Sequence, residues 1–76
     1  MASLLYKDFL IVAGADFEAP TRSWVSIVSV SWNAGGKQEI HFLSQTSERH
    51  DSPDDAVGFG LAVARAWVDY RLNGAE

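Results

Sequence analysis

The hydrophobic period of this 76-residue chain changes once, near residue 53. Before that point apolar residues follow the two-residue alternation of strands, and beyond it they recur at helical spacing. Ser23–Trp32 reads Ser-Trp-Val-Ser-Ile-Val-Ser-Val-Ser-Trp and is the clearest strand. Tyr6–Ala13, with Phe9, Ile11 and Val12, and Lys37–Ser44 predict two more. Gly14, Asp16 and Pro20 mark 14–22 as a loop, and a polar stretch over 45–51 leads into the helix. The pattern predicts an α+β fold, a three-stranded antiparallel β-meander packed by one C-terminal α-helix (β-β-β-α). Residues 1–76 form a single domain.

The helix has marked ends. Asp51 or Ser52 can cap it, Pro53 suits the first helical position, and Asp54 and Asp55 lie where the macrodipole favours anions. Arg71 and then Asn73-Gly74 mark its end, giving a span near 53–72. On a wheel of about 100° per residue, Asp54, Asp55, Gly58, Ala62, Arg65 and Asp69 share one narrow side. Ala56, Gly60 and Ala64 form a small-residue seam on the apolar side, which lets the helix backbone approach the sheet closely.

Asn33-Ala34-Gly35-Gly36 sets the register of the second hairpin. Asn first and Gly fourth suit a type I turn, with Gly36 in a G1 bulge closing a three-residue loop. Asn33 then pairs with Lys37, Val30 faces Ile40 and Val28 faces Phe42, so apolar residues meet on the helix-covered face. Ser29, Ser31, Glu39 and His41 point outward, joined by Val25, Ile27 and Leu43. Placing the bulky Phe9 and Ile11 inward sends Leu10 and Val12 to the open face. The candidate interface is therefore Leu10, Val12, Val25, Ile27 and Leu43.

Composition narrows the functional classes. There are no cysteines, so disulfides and thiolate metal sites are excluded, which fits a reducing, cytoplasmic setting. A chain this short builds a modest core and benefits from a partner subunit. Its net charge is −4; residues 1–47 carry three basic and four acidic groups, and residues 48–76 three and six. Six singly scattered basic residues do not suit a phosphate backbone. The apolar N-terminus is split by Lys7 and Asp8, which argues against a signal peptide, and no run approaches a membrane span.

No catalytic, cofactor or metal constellation emerges. His41, His50 and Asp51 lack tight ligand spacing. Asp54 and Asp55 are adjacent on a helix and do not face each other. Gly58-x-Gly60 and Gly35-Gly36 belong to no complete phosphate-loop pattern. None of the serines lies in a G-x-S-x-G elbow. Trp24, Trp32 and Trp67 are read as core filling.

Tyr6-Lys7-Asp8-Phe9, the tryptophan-bearing strand, and Asp54-Asp55-Ala56 leading to Ala66-Trp67-Val68-Asp69 resemble small bacterial β-β-β-α proteins of about this length, which carry no established activity. The topology is also similar to the DNA-binding domains of phage-type integrases and plant AP2 factors. Those present basic and aromatic residues on the sheet, where this chain has Ser29, Ser31, Glu39 and His41. The expectation is a non-enzymatic interaction module that forms a homodimer or binds another protein, with neither nucleic acid nor membrane as partner. A nucleic-acid-associated domain is the alternative.

Overall fold

The computed structural model describes residues 2–74, with the side chains of all but 45–47. The elements are β1 (Ala2–Tyr6), β2 (Phe9–Glu18), β3 (Ser23–Ala34), β4 (Lys37–Phe42), β5 (Gln45–His50) and α1 (Pro53–Leu72). The fold is α+β. One antiparallel sheet runs in the order β1-β2-β3-β4, and β5 pairs with β3 beyond the end of β4. Five strands thus stand where the sequence pattern indicates three.

The extra strands have local causes. Lys7 and Asp8 both take left-handed backbone, with φ of 51° and 69°. They form a two-residue turn between the paired Tyr6 and Phe9, which cuts the expected strand over 6–13 in two. On the far side β2 continues through the expected loop to Glu18. Gly14 and Asp16 are tolerated there because β1 ends opposite Ala13, leaving this stretch paired on one side only. The polar 45–50 stretch forms β5 against Trp24 and Ser26, with an irregular register.

The second hairpin differs by one residue from expectation. Gly35 and Gly36 have φ of 59° and 83°, and they close a two-residue loop that pairs Ala34 with Lys37. Two consecutive glycines allow positive φ at both turn positions, and such turns match the twist of a hairpin. Val30 therefore lies opposite His41 and not Ile40, while Phe42 lies opposite Ser29 and not Val28. The one-residue slip moves every β4 side chain to the other face. Ile40 and Phe42 are exposed, whereas the His41 ring stacks on Trp67 of α1 at 4.9 Å.

Between α1 and the sheet lies the core. Phe9, Ile11, Ala13, Val28 and Val30 pack against Ala64 and Val68, with Leu4, Tyr6, Trp32, Leu43, Val57, Leu61 and Trp67 around them. The inward placing of Phe9 and Ile11 and of Val28 and Val30 thus agrees with the sequence pattern. Ser52 caps α1, its Oγ accepting from Asp55 N at 3.1 Å. Ala56, Gly60, Ala64 and Val68 form the buried line of the helix. The approach is close: the Ser26 Oγ, fully buried, donates to the Ala56 carbonyl at 2.5 Å.

A Cβ at Gly60 would lie 2.5 Å from Val28 Cγ2, which no packed pair of carbons sustains. Gly58, two residues earlier, faces open space. Gly60→Ala is therefore expected to destabilise the domain by about 1–3 kcal/mol through overpacking. Gly58→Ala should stabilise it by about 0.5–1 kcal/mol through helix propensity. Urea midpoints of the two variants check the pair; equal midpoints would contradict the contact.

Candidate functional site

The helix covers one face of the sheet and leaves the other bare. Cross-strand pairing arranges the bare face in rows. Leu5, Leu10, Ser31 and Ile40 form one row, and Ser3, Val12, Ser29 and Phe42 the next. Gly14 and Ile27 form a third. Leu5 is 70 % exposed, Leu10 and Ile27 42 % each, Ile40 57 % and Phe42 69 %. Five of the large exposed apolar side chains thus share one surface. A shallow hollow of about 400 Å³ opens beside Gly14, bounded by Val12, Asp16, Ile27, Ser29 and Phe42.

Charge is nearly absent from this surface. Alternation places Ser3 and Leu5, the even residues of β2, the odd residues of β3 and the even residues of β4 on it. Asp16 and Glu18 are the only ionisable side chains in that set, and Glu18 is ion-paired with Arg49 at 3.0 Å. That pair crosses β3 and closes one end of the face.

Three of the five expected interface residues, Leu10, Val12 and Ile27, lie on this surface. Val25 shares this face by alternation but is covered there, and Leu43 does not belong to it. Val25 is 1 % exposed, at the end that the Arg49–Glu18 bridge spans. Leu43 is turned into the core by the two-residue hairpin loop, and its N–H bonds to the Val28 carbonyl at 2.8 Å. Ile40, Phe42 and Leu5 take their places. The first two follow from the Gly35-Gly36 turn, whose two-residue form is the signal that the hydrophobic match obscured. Leu5 follows from the Lys7-Asp8 turn, a pair with little turn preference in its composition.

The other polar groups are dispersed. His41 stacks on Trp67 and the His50 ring lies 5.0 Å from Phe59, about 12 Å apart along the helix. Among the described residues no three of His, Cys, Asp and Glu are placed to share a metal ion. Among the described residues, too, no helix is long and apolar enough to cross a membrane. At the turn end of the sheet, Phe9, Trp32 and Trp67 pack edge to face or tilted, and the Arg71 guanidinium lies 4.7 Å above the Trp32 ring. This aromatic group ties the last turn of α1 to the sheet.

Asp69 gathers the strongest polar contacts. Lys7 Nζ donates to it at 2.7 Å, and the Tyr6 hydroxyl donates to its two oxygens at 3.0 and 3.1 Å. These bonds fasten the β1–β2 turn, with its two left-handed residues, to the end of the helix. The hydrogen bond from Lys7 holds the Asp69 carboxyl below the usual carboxylate value, and the same bond raises the Lys7 ammonium above the usual lysine value.

Comparison with models of known protein families, with curated proteins and with solved structures finds no match.

The Asp69 cluster makes a pH prediction. A carboxyl with a depressed folded pKa adds stability above its unfolded value and loses it as pH falls through the folded value. Lys7, raised, adds stability below the ordinary lysine value and loses it only at higher pH. Asp69→Asn should therefore lower the urea midpoint at neutral pH and flatten its fall on acidification below the ordinary carboxylate range. Parallel acid limbs in wild type and variant would contradict the assignment.

Proposed function

We infer that this protein is a non-enzymatic interaction module and that the bare sheet face is its binding surface, used first for self-association. The observation that carries this reading is the row of Leu5, Leu10, Ile27, Ile40 and Phe42 on a surface almost free of charge. Contiguous exposed apolar area beyond a few hundred Å² marks an interaction site, and depletion of charge is the compositional sign of an interface core. The elements that could have folded over the face inside the chain extend the sheet instead. The N-terminal leucines form β1, and residues 14–18 prolong β2.

Size supports the same reading. A two-layer domain of this length buries a small core, and a second copy is the remaining way to enlarge it without disulfides. An enzymatic role finds no support in the side chains, since the polar side chains that line the hollow beside Gly14 are one carboxylate, Asp16, and one serine, Ser29, in separate rows. A nucleic-acid role would require lysine or arginine side chains on the sheet, and none projects from the bare face of β1–β4.

Light scattering over a concentration series should show the wild type associating. Ile27→Asp and Ile40→Asp should give folded monomers, with circular dichroism unchanged, because both side chains are exposed in the single chain. A wild type that stays monomeric at high concentration would overturn the reading. A titration against labelled duplex DNA is expected to show no salt-sensitive binding, and such binding would favour the nucleic-acid alternative.

A further inference from the structure

We propose that the occupant of the bare face is a second copy of this chain, seated face to face about a two-fold axis that runs parallel to the strands, between β2 and β3. The proposal rests on the reading of that face as the interaction surface and adds the orientation of the partner.

Two sheets that face each other under two-fold symmetry have their axis in the plane between them. For sheets packed with their strands aligned, that axis lies close to the strand direction or close to perpendicular to it. An axis along the strands reverses strand order, so β2 covers the partner's β3 and β1 covers the partner's β4, and each row meets itself. An axis across the strands keeps strand order, so β2 covers the partner's β2 and β3 the partner's β3.

The side chains separate the two cases. On this face β2 presents Leu10, Val12 and Gly14, while the paired positions of β3 are Ser31, Ser29 and Ile27. In every row one strand is large where the other is small. With the axis along the strands, Leu10 meets the partner's Ser31 and Val12 meets the partner's Ser29. Ile27 enters the partner's hollow beside Gly14. At one edge row Phe42 lies over the partner's Ser3. These four pairs alternate large and small across facing positions, which lets two layers interdigitate. Leu5 and the partner's Ile40 meet as two large side chains at the rim. An axis across the strands reverses the order of the rows. Placed between the first two rows, it sets Leu10 on the partner's Val12 and Ser31 on the partner's Ser29 over a gap. Placed on the second row, it sets Val12 on Val12 and Ser29 on Ser29, so neither position matches large to small in all three rows. Aligned sheets cross at about 30°, which leaves the neighbours at the centre unchanged.

Charge agrees with a second copy as occupant. Two chains of charge −4 repel, and they approach most closely through a surface from which charge has been excluded. Asp16 is the unpaired charge of this face and lies at its rim. An isologous contact also closes on itself, so it covers the face once and stops.

The chain has no cysteine, so single-cysteine variants report cleanly. Ser3→Cys and Phe42→Cys are prepared separately, then mixed and treated with a short bismaleimide. Facing sheets lie about 10 Å apart, whereas β1 and the partner's β1 would be offset by a further three strand spacings, about 14 Å. The expected result is a covalent dimer in the mixture and none in either variant alone. Leu5→Cys with Ile40→Cys repeats the test on the next row, which guards against loss of association at Phe42. A dimer in which Ser3→Cys or Phe42→Cys alone cross-links would overturn the orientation while leaving the interaction surface intact. A wild-type dimer in which neither pair cross-links would place the interface elsewhere and overturn both readings, as would a wild type that light scattering shows to be monomeric.

Discussion

The architecture depends on one close contact, the passage of the α1 backbone over β3 at Gly60. Val28 Cγ2 occupies the space that a side chain there would need. This proximity lets Ser26 reach the Ala56 carbonyl, and it brings Ala64 and Val68 down onto Ile11 and Val30. It also sets the limits of the core. A helix seated this low is covered by the sheet along the Ala56–Gly60–Ala64–Val68 line, and its flanks curl over the edges. His41 stacks on Trp67 and Trp32 packs tilted against it on one side, and His50 lies against Phe59 further along. One helix serves one sheet face, and among the described residues no second element lies over the other.

Much of this was legible in the residues. The small-residue seam, the Ser52-Pro53 start and the Asn73-Gly74 end are local signals whose physics is complete within one or two turns of helix, and the structure agrees with them. The inward set of Phe9, Ile11, Val28 and Val30 was legible because bulk and period agreed. What failed were turns. The type I bulged loop and the two-residue loop at Gly35-Gly36 differ by one residue, and the hydrophobic match across the hairpin favoured the wrong one. The match misled because it assumed that only one face needs apolar residues. A sheet with two greasy faces loses that internal check on register. Lys7-Asp8 was illegible for another reason: positive φ at two non-glycine residues is held by contacts from Asp69, far along the sequence.

The same two turns decide where the candidate surface lies. The Gly35-Gly36 loop carries Ile40 and Phe42 out of the core and Leu43 into it. The Lys7-Asp8 turn folds β1 back beside β2 and adds Leu5 next to Leu10. Of the five side chains read from sequence, Leu10, Val12 and Ile27 survived because strand alternation alone places them, whereas Val25, placed on the same face by alternation, is covered at its end. Leu43 and the β4 positions changed because they are set by turn geometry, which alternation does not encode.

The shape of the molecule gives a reason for that surface. For 76 residues a compact domain has a radius of gyration of about 11 Å, whereas this chain has 13.1 Å. The excess reflects a slab of two layers, sheet and helix, in which the sheet is half buried. Leu5, Ile40 and Phe42 stay mostly exposed in the single chain, and polar residues at these positions and at Leu10 would leave the helix-facing core untouched. Serines already occupy the alternate positions at Ser3, Ser29 and Ser31, so the strands accommodate polar residues on this face. The apolar residues are therefore not a requirement of the single chain's core. On the proposed reading, the rows of large beside small at Leu10/Ser31, Val12/Ser29 and Ile27/Gly14 have a purpose, because the face turned over about the strand direction carries the matching relief.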